Sequence, residues 1–146
     1  MGEREAESAM QSPAGYFEHG ADIGVVGRGD SIEQAFAAAA KAMFAIMADV
    51  DAVRPLARVE VAFDEDDDEL ALVRWLNALL AEARVRGLAL ARFELTREGP
   101  RWRGAAYGEP WRDDLARGTE VKGATLTALS VRKADRGWEA RCVVDV

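Results

Sequence analysis

The chain has 146 residues, 49% of them apolar and 31% charged, the length and balance of one globular domain with a single core. One cysteine, Cys142, excludes an intrachain disulfide and a cysteine-rich zinc site. A net charge of −7 argues against tight, non-specific nucleic-acid binding, which needs clustered Lys and Arg, and favours a basic protein partner or a cation.

Residues 1–13 carry small polar and charged side chains with no apolar period, and we expect a disordered N-terminal segment there. No basic stretch followed by an apolar one opens the chain, and no apolar run is long enough to span a bilayer. A cytoplasmic protein without membrane contact is expected. Tyr16-Phe17-Glu18-His19 reads as a short strand, and Ile23 to Gly29 as a second extended segment. The glycines of the second segment suggest a close backbone approach or a bulge.

The first helix starts at Asp30 or Ser31, either of which can cap it, with Glu33 or Gln34 at the capping-box spacing. Ile32, Ala35, Phe36, Ala39, Met43, Phe44 and Met47 form one apolar face, and the alanine run Ala37 to Ala40 lets the helix pack closely on a sheet. It should stop near Ala48. Arg58 to Phe63 alternates polar and apolar, a half-buried strand. Asp64 to Glu69 is a run of six acids that lacks the glycine and spaced glutamate of an EF-hand loop. Its expected role is to complement the N-terminal dipole of the second helix, Asp68 to Arg86, which Gly87 ends. Leu70, Val73, Leu76, Leu80 and Ala83 are the expected core stripe of that helix, widened by Leu72, Trp75 and Leu79.

The rest of the chain reads as strands: Leu88 to Arg97, Arg101 to Gly108, Glu120 to Arg132 and Trp138 to Val146. Hairpin chemistry at Glu98-Gly99-Pro100 and Asp135-Arg136-Gly137 joins the first two and the last two. Two helices separated by strands, then four hairpin-connected strands, predict an α+β two-layer sandwich over residues 14–146. Both helices should pack on one face of a mainly antiparallel sheet.

In the last strand, Trp138, Ala140, Cys142, Val144 and Val146 share the face expected to be buried. Cys142 is therefore a structural thiol. Asp145 points the other way, and where the native chain ends at Val146 the free α-carboxylate of that residue lies beside it. A third carboxylate from Asp22 would complete a hard, all-oxygen cluster suited to Ca²⁺ or Mg²⁺. Spacing alone does not bring Asp22 to Asp145, and a turn residue is the commoner use of Asp beside Gly. His19 is read as a hydrogen-bonded scaffold for the loop, with a ligand role open; no second histidine exists to complete a zinc catalytic set.

His19-Gly20-Ala21-Asp22-Ile23-Gly24 resembles the His-Thr-Ala-Asp-Ile/Val signature of the archease family. Further pieces follow in the family's order: Asp30-Ser31-Ile32-Glu33-Gln34-Ala35-Phe36 leading to Met43-Phe44-Ala45-Ile46-Met47, then Trp75-Leu76-Asn77-Ala78-Leu79-Leu80, then Gly108-Glu109. Gly118-Thr119-Glu120-Val121-Lys122-Gly123-Ala124-Thr125 and the closing Val143-Val144-Asp145-Val146 complete the set. The resemblance implies a non-catalytic accessory protein of the tRNA-splicing RNA ligase, one that promotes guanylylation of the ligase and its multiple turnover. It also implies a bound divalent cation, calcium in first place with magnesium or manganese as alternatives. The ligands carried over are Asp22, Asp145 and a main-chain or terminal oxygen of Val146, with Lys122 as a contact to phosphate or to the partner. A chaperone role for RNA-modifying enzymes is the alternative it leaves open. A stand-alone metal-dependent hydrolase is disfavoured, because no nucleophile or base set accompanies the acids. Two departures stand out: Gly20 replaces the usual threonine, and Thr127 falls where many members carry an aromatic-plus-polar pair.

Overall fold

The computed structural model describes residues 15–19 and 22–146. The segment expected to be disordered lies outside the described residues.

Local chemistry sets both helices. In α1 (Ile32–Met47) the Ser31 hydroxyl accepts from the N–H of Gln34 at 3.1 Å, and the Gln34 side chain accepts in return from the N–H of Asp30 at 2.9 Å. The box predicted from Asp30 or Ser31 thus uses both residues. In α2 (Asp68–Arg86) a carboxylate oxygen of Asp67 accepts from the N–H groups of Glu69 and Leu70, and Gly87, at φ 65°, closes the other end. The acidic run therefore acts on the helix N-terminus, as expected. Three of its other members make ion pairs: Glu65 with Arg74, Asp68 with Arg97 and Asp64 with Arg101.

The strands are β1 (Tyr16–His19), β2 (Asp22–Gly29), β3 (Ala57–Asp64), β4 (Leu88–Glu98), β5 (Arg101–Pro110), β6 (Gly123–Ala124), β7 (Ser130–Ala134) and β8 (Gly137–Asp145). All their pairings are antiparallel. The fold is the α+β sandwich the sequence implies, with one difference: the strands divide into two sheets. One runs β1-β2-β8, with β6 and β7 both pairing the far side of β8, and the other runs β3-β5-β4. Each helix touches strands of both sheets, so the helices join them. No described helix is long and apolar enough to cross a membrane.

Helix α1 lies almost directly on β2. A Cβ at Gly27 would collide with the carbonyl of Ala35 and the N–H of Ala39, which is the close approach that the glycines and the alanine run predicted. Phe36 stacks on Trp102 of β5 with ring centroids 5.0 Å apart, and the buried Trp75 indole donates to the carbonyl of Phe36 at 3.0 Å. That hydrogen bond ties α2 to α1 and satisfies the one polar atom of a large core side chain.

Three local expectations change. Leu70 is 41% exposed and Val73 only half-buried, so the buried stripe of α2 is Leu72, Trp75, Leu76, Leu79, Leu80 and Ala83. The strand expected over Glu120 to Arg132 is two short strands. Between them the Thr125 hydroxyl donates to the carbonyl of Val143 at 2.8 Å and accepts from the N–H of Thr127, and Ala128 takes φ 51°. Side-chain competition for backbone partners and a left-handed residue break the ladder there. Finally, Val143 is fully buried and Glu139 nearly so, although both face away from α1.

Candidate functional site

The pairing of β2 with β8 sets Ile23 opposite Val144 and Gly24 opposite Val143. Asp22 and Asp145 are each the next residue beyond that last pair, at the ends of β2 and β8. Ile23 and Val144 pack with the core, so the two aspartates point away from it. Asp22 is half-buried and Asp145 exposed. Val146 packs against the core beside them.

Two other residues singled out from the sequence sit at the same end. The main-chain N–H of Lys122 donates to the carbonyl of Asp145 at 2.7 Å, and Gly123 pairs with Asp145 in β6. The Lys122 side chain is exposed and makes no ion pair among the described residues. His19 pairs with Asp22 across the β1–β2 ladder, which fixes its backbone beside the acid. Among the described residues no group of three His, Cys, Asp or Glu side chains gathers to hold a metal. Among the described residues the side chains at this end that could serve as oxygen donors are the carboxylates of Asp22 and Asp145. An all-oxygen donor set of that kind suits hard cations.

The Lys122 loop is fixed from behind by α2. One guanidinium nitrogen of Arg84 donates to the carbonyls of Val121 and Lys122, each at 2.7 Å. Asn77 makes two more bonds to Ala124, one donated by its amide and one accepted from the main chain. Cys142 lies fully buried in the core and donates to the carbonyl of Thr125 at 3.3 Å; burial pushes its thiol up to about 11. It is the structural thiol expected.

The sequence did not single out a second polar centre. Glu109, at the end of β5, is 1% exposed. It accepts from the main-chain N–H and the guanidinium of Arg54 at 2.7–2.9 Å, and from Arg112 at 3.2 Å. These bonds, Arg54 first, pull its pKa from 4.5 down to about 2. Arg112 also donates to the carbonyl of Ala52 at 2.7 Å. One carboxylate thereby joins the segment before β3 to the loop after β5. The only sequence signal was Gly108-Glu109 among the pieces of the family resemblance.

The profile described as "Archease protein family (MTH1598/TM1083)" matches residues 15–146. The chain belongs to the archease family. An archease of Saccharolobus solfataricus is 33% identical over 134 residues, covering 90% of this chain and 96% of its own. An archease of Pyrococcus abyssi is 34% identical over 137 residues with the same coverage. Among solved structures, Methanobacterium thermoautotrophicum protein 1598 superposes with a TM-score of 0.75 at 26% identity, over 91% of this chain and 99% of that one. A Thermotoga maritima archease described as a possible chaperone shares the fold, with a TM-score of 0.63 at 21% identity, over 89% of this chain and 94% of that one.

Proposed function

We propose that the protein is a non-catalytic accessory of the tRNA-splicing RNA ligase in the cytoplasm, promoting guanylylation of the ligase and its multiple turnover. Membership of the archease family across residues 15–146 is the observation that carries this. The β2–β8 register, whose last pair Ile23–Val144 leaves Asp22 and Asp145 as the next residue on each strand, supports a cation site at that end. Asp22 and Asp145 would give two anionic oxygens and Val146 a main-chain or terminal oxygen, a donor set for calcium, with magnesium or manganese as substitutes. Such a cation, when bound, supplies positive charge toward phosphate oxygens. Lys122 would contact phosphate or an acidic residue of the ligase as a point charge. His19, whose backbone pairs with Asp22 across the β1–β2 ladder, is assigned a scaffold role at that end.

The test is multiple-turnover RNA ligation by the cognate ligase with and without this protein. Stimulation by the wild type, lost in Asp22→Ala, is expected. No stimulation by the wild type would overturn the role, whereas equal stimulation by Asp22→Ala would remove only the cation site. A chaperone role for RNA-modifying enzymes calls for a contiguous apolar patch. Among the described residues the exposed large apolar side chains are Leu56 just before β3, Leu70 and Val85 near opposite ends of α2, and Leu126 between β6 and β7.

A further inference from the structure

The sheet β3-β5-β4 ends on β3, and that edge is open. Among the described residues β3 pairs only with β5, in an unbroken register from Ala57 to Asp64. The N–H of Glu65 donates to the carbonyl of Pro100 at 2.8 Å, one step beyond the Asp64–Arg101 pair. Main-chain groups alternate in direction along an antiparallel strand. The odd-numbered residues of β3 therefore turn theirs to β5, while Arg58, Glu60, Ala62 and Asp64 turn theirs outward. Shortness and bulges blunt the other edges: β1 has four residues, β6 two and β7 five, and β4 is bulged between Leu90 and Arg92. β3 has eight residues, without bulge or proline.

Its two faces say what fits against it. Val59, Val61 and Phe63 face the core, yet Val61 and Phe63 are only half-buried. Arg58, Glu60, Ala62 and Asp64 face solvent and are exposed. The register carries one row of alternating charge across the outer face, from Glu98 on β4 through Arg101 on β5 to Asp64 on β3. Asp64 and Arg101 form an ion pair, and the row stops on the acid at the open edge. A strand that continues the alternation presents a cation opposite Asp64. A second β3 does so when it pairs antiparallel about a two-fold axis at Val61, because Asp64 of each copy then stands opposite Arg58 of the other. In that register Glu60 meets the small Ala62, Val59 meets Phe63, and Val61 meets itself. Like charges directly opposite are destabilising, which disfavours the neighbouring registers. An axis at Glu60 sets that acid against itself, and an axis at Ala62 sets it against Asp64. An axis at Val59 leaves Ala62 to Asp64 of each copy unpaired.

We propose that two copies of this chain pair edge to edge through β3, in antiparallel register centred on Val61, joining two three-stranded sheets into one. The contact is isologous and closed, the symmetry of most homodimers. Main-chain hydrogen bonds hold it, the two Arg58–Asp64 pairs select its register, and Val61 and Phe63 lose their remaining exposure. Nothing in this pairing depends on the accessory role.

Sedimentation equilibrium of the full chain across a concentration series tests it, and wild type should fit a monomer–dimer equilibrium. Arg58→Glu sets an acid opposite Asp64, and Asp64→Lys sets a base opposite Arg58, so each should weaken the dimer at least about tenfold. An equimolar mixture of the two variants restores both attractive pairs and should dimerise as wild type does. Val61→Cys should cross-link to its own copy on mild oxidation, since Cα atoms of a non-hydrogen-bonded pair lie about 4.5 Å apart, within disulfide reach. Lys133→Cys, exposed on β7, should not, and the buried Cys142 does not compete. Melting curves check that each variant folds, and Val61→Cys decides where a charge variant does not. A wild type that stays monomeric to millimolar concentration overturns the proposal. So does a dimer that both charge variants keep, a mixture that stays monomeric, or a Val61→Cys that cross-links no better than Lys133→Cys.

Discussion

The N–H of Lys122 donates to the carbonyl of Asp145 at 2.7 Å, so the loop bearing the lysine is registered on the strand bearing the acid by main chain alone. The two side chains are free to do different work. Lys122→Ala removes no ion pair of the described structure and should leave stability within about 0.5 kcal/mol of wild type, as exposed substitutions do. It should leave calcium affinity unchanged in calorimetry while lowering stimulation of the ligase. Asp145→Ala should lower both. Loss of calcium affinity in Lys122→Ala would place the lysine's role at the cation instead of the partner.

Glu109 gives the fold an acid-sensitive joint. Its folded pKa is about 2 against an ordinary 4.5, so its contribution is present in full above about 4.5 and is lost as pH falls toward 2. Urea midpoints measured from pH 6 to pH 2 should fall through that window for wild type. Glu109→Gln should be less stable at pH 6 and flatter through the window, so that the two curves approach each other near pH 2. Parallel curves would show that the carboxylate contributes nothing through its ionisation.

Gly27 and Gly87 are both needed, for different reasons. A Cβ at Gly27 strikes the backbone of α1 at Ala35 and Ala39, and Gly27→Ala should cost about 1–3 kcal/mol as the helix is pushed from the sheet. At Gly87 a Cβ meets nothing within 4 Å, but φ is 65°, and Gly87→Ala should cost about 1 kcal/mol through backbone conformation alone. Denaturant unfolding measures both. Gly87→Asn should recover most of the second loss, since Asn tolerates that conformation, and Gly27→Asn should recover none of the first.

Cys142 should be silent to a disulfide-exchange reagent at pH 8 in the native protein. It has no exposed surface, and its thiol stands near 11. Labelling should appear only with global unfolding, at the same urea concentration as the loss of tryptophan signal. Labelling well below that midpoint would reveal local opening of β8.

The elements that were legible from the sequence are those whose ends are written in short-range chemistry. Ser31 with Gln34, and Asp67 with Gly87, bound the helices within a few residues, and each cap needs only its own neighbours. The Gly99-Pro100 and Asp135-Arg136 turns were readable for the same reason. The division into two sheets was not, because which strand pairs with which depends on contacts between distant segments. Glu109 reads as an ordinary strand-end acid until Arg54 and Arg112 arrive from two separate loops to bury it. Thr125 has ordinary strand chemistry, and only the nearby carbonyl of Val143 draws its hydroxyl out of the pattern. That Asp22 and Asp145 stand at the ends of two paired strands could be expected from family resemblance and from no periodicity, since 122 residues separate the two (145 − 22 − 1).

The order of strands has a consequence during synthesis. β1 and β2 emerge before either helix, yet their sheet is centred on β8, with both helices and the whole second sheet translated in between. A nascent chain that stops short of residue 137 lacks the centre of that sheet and also lacks Asp145. Closing the longest-range contacts of the fold and assembling the acidic end are therefore one event.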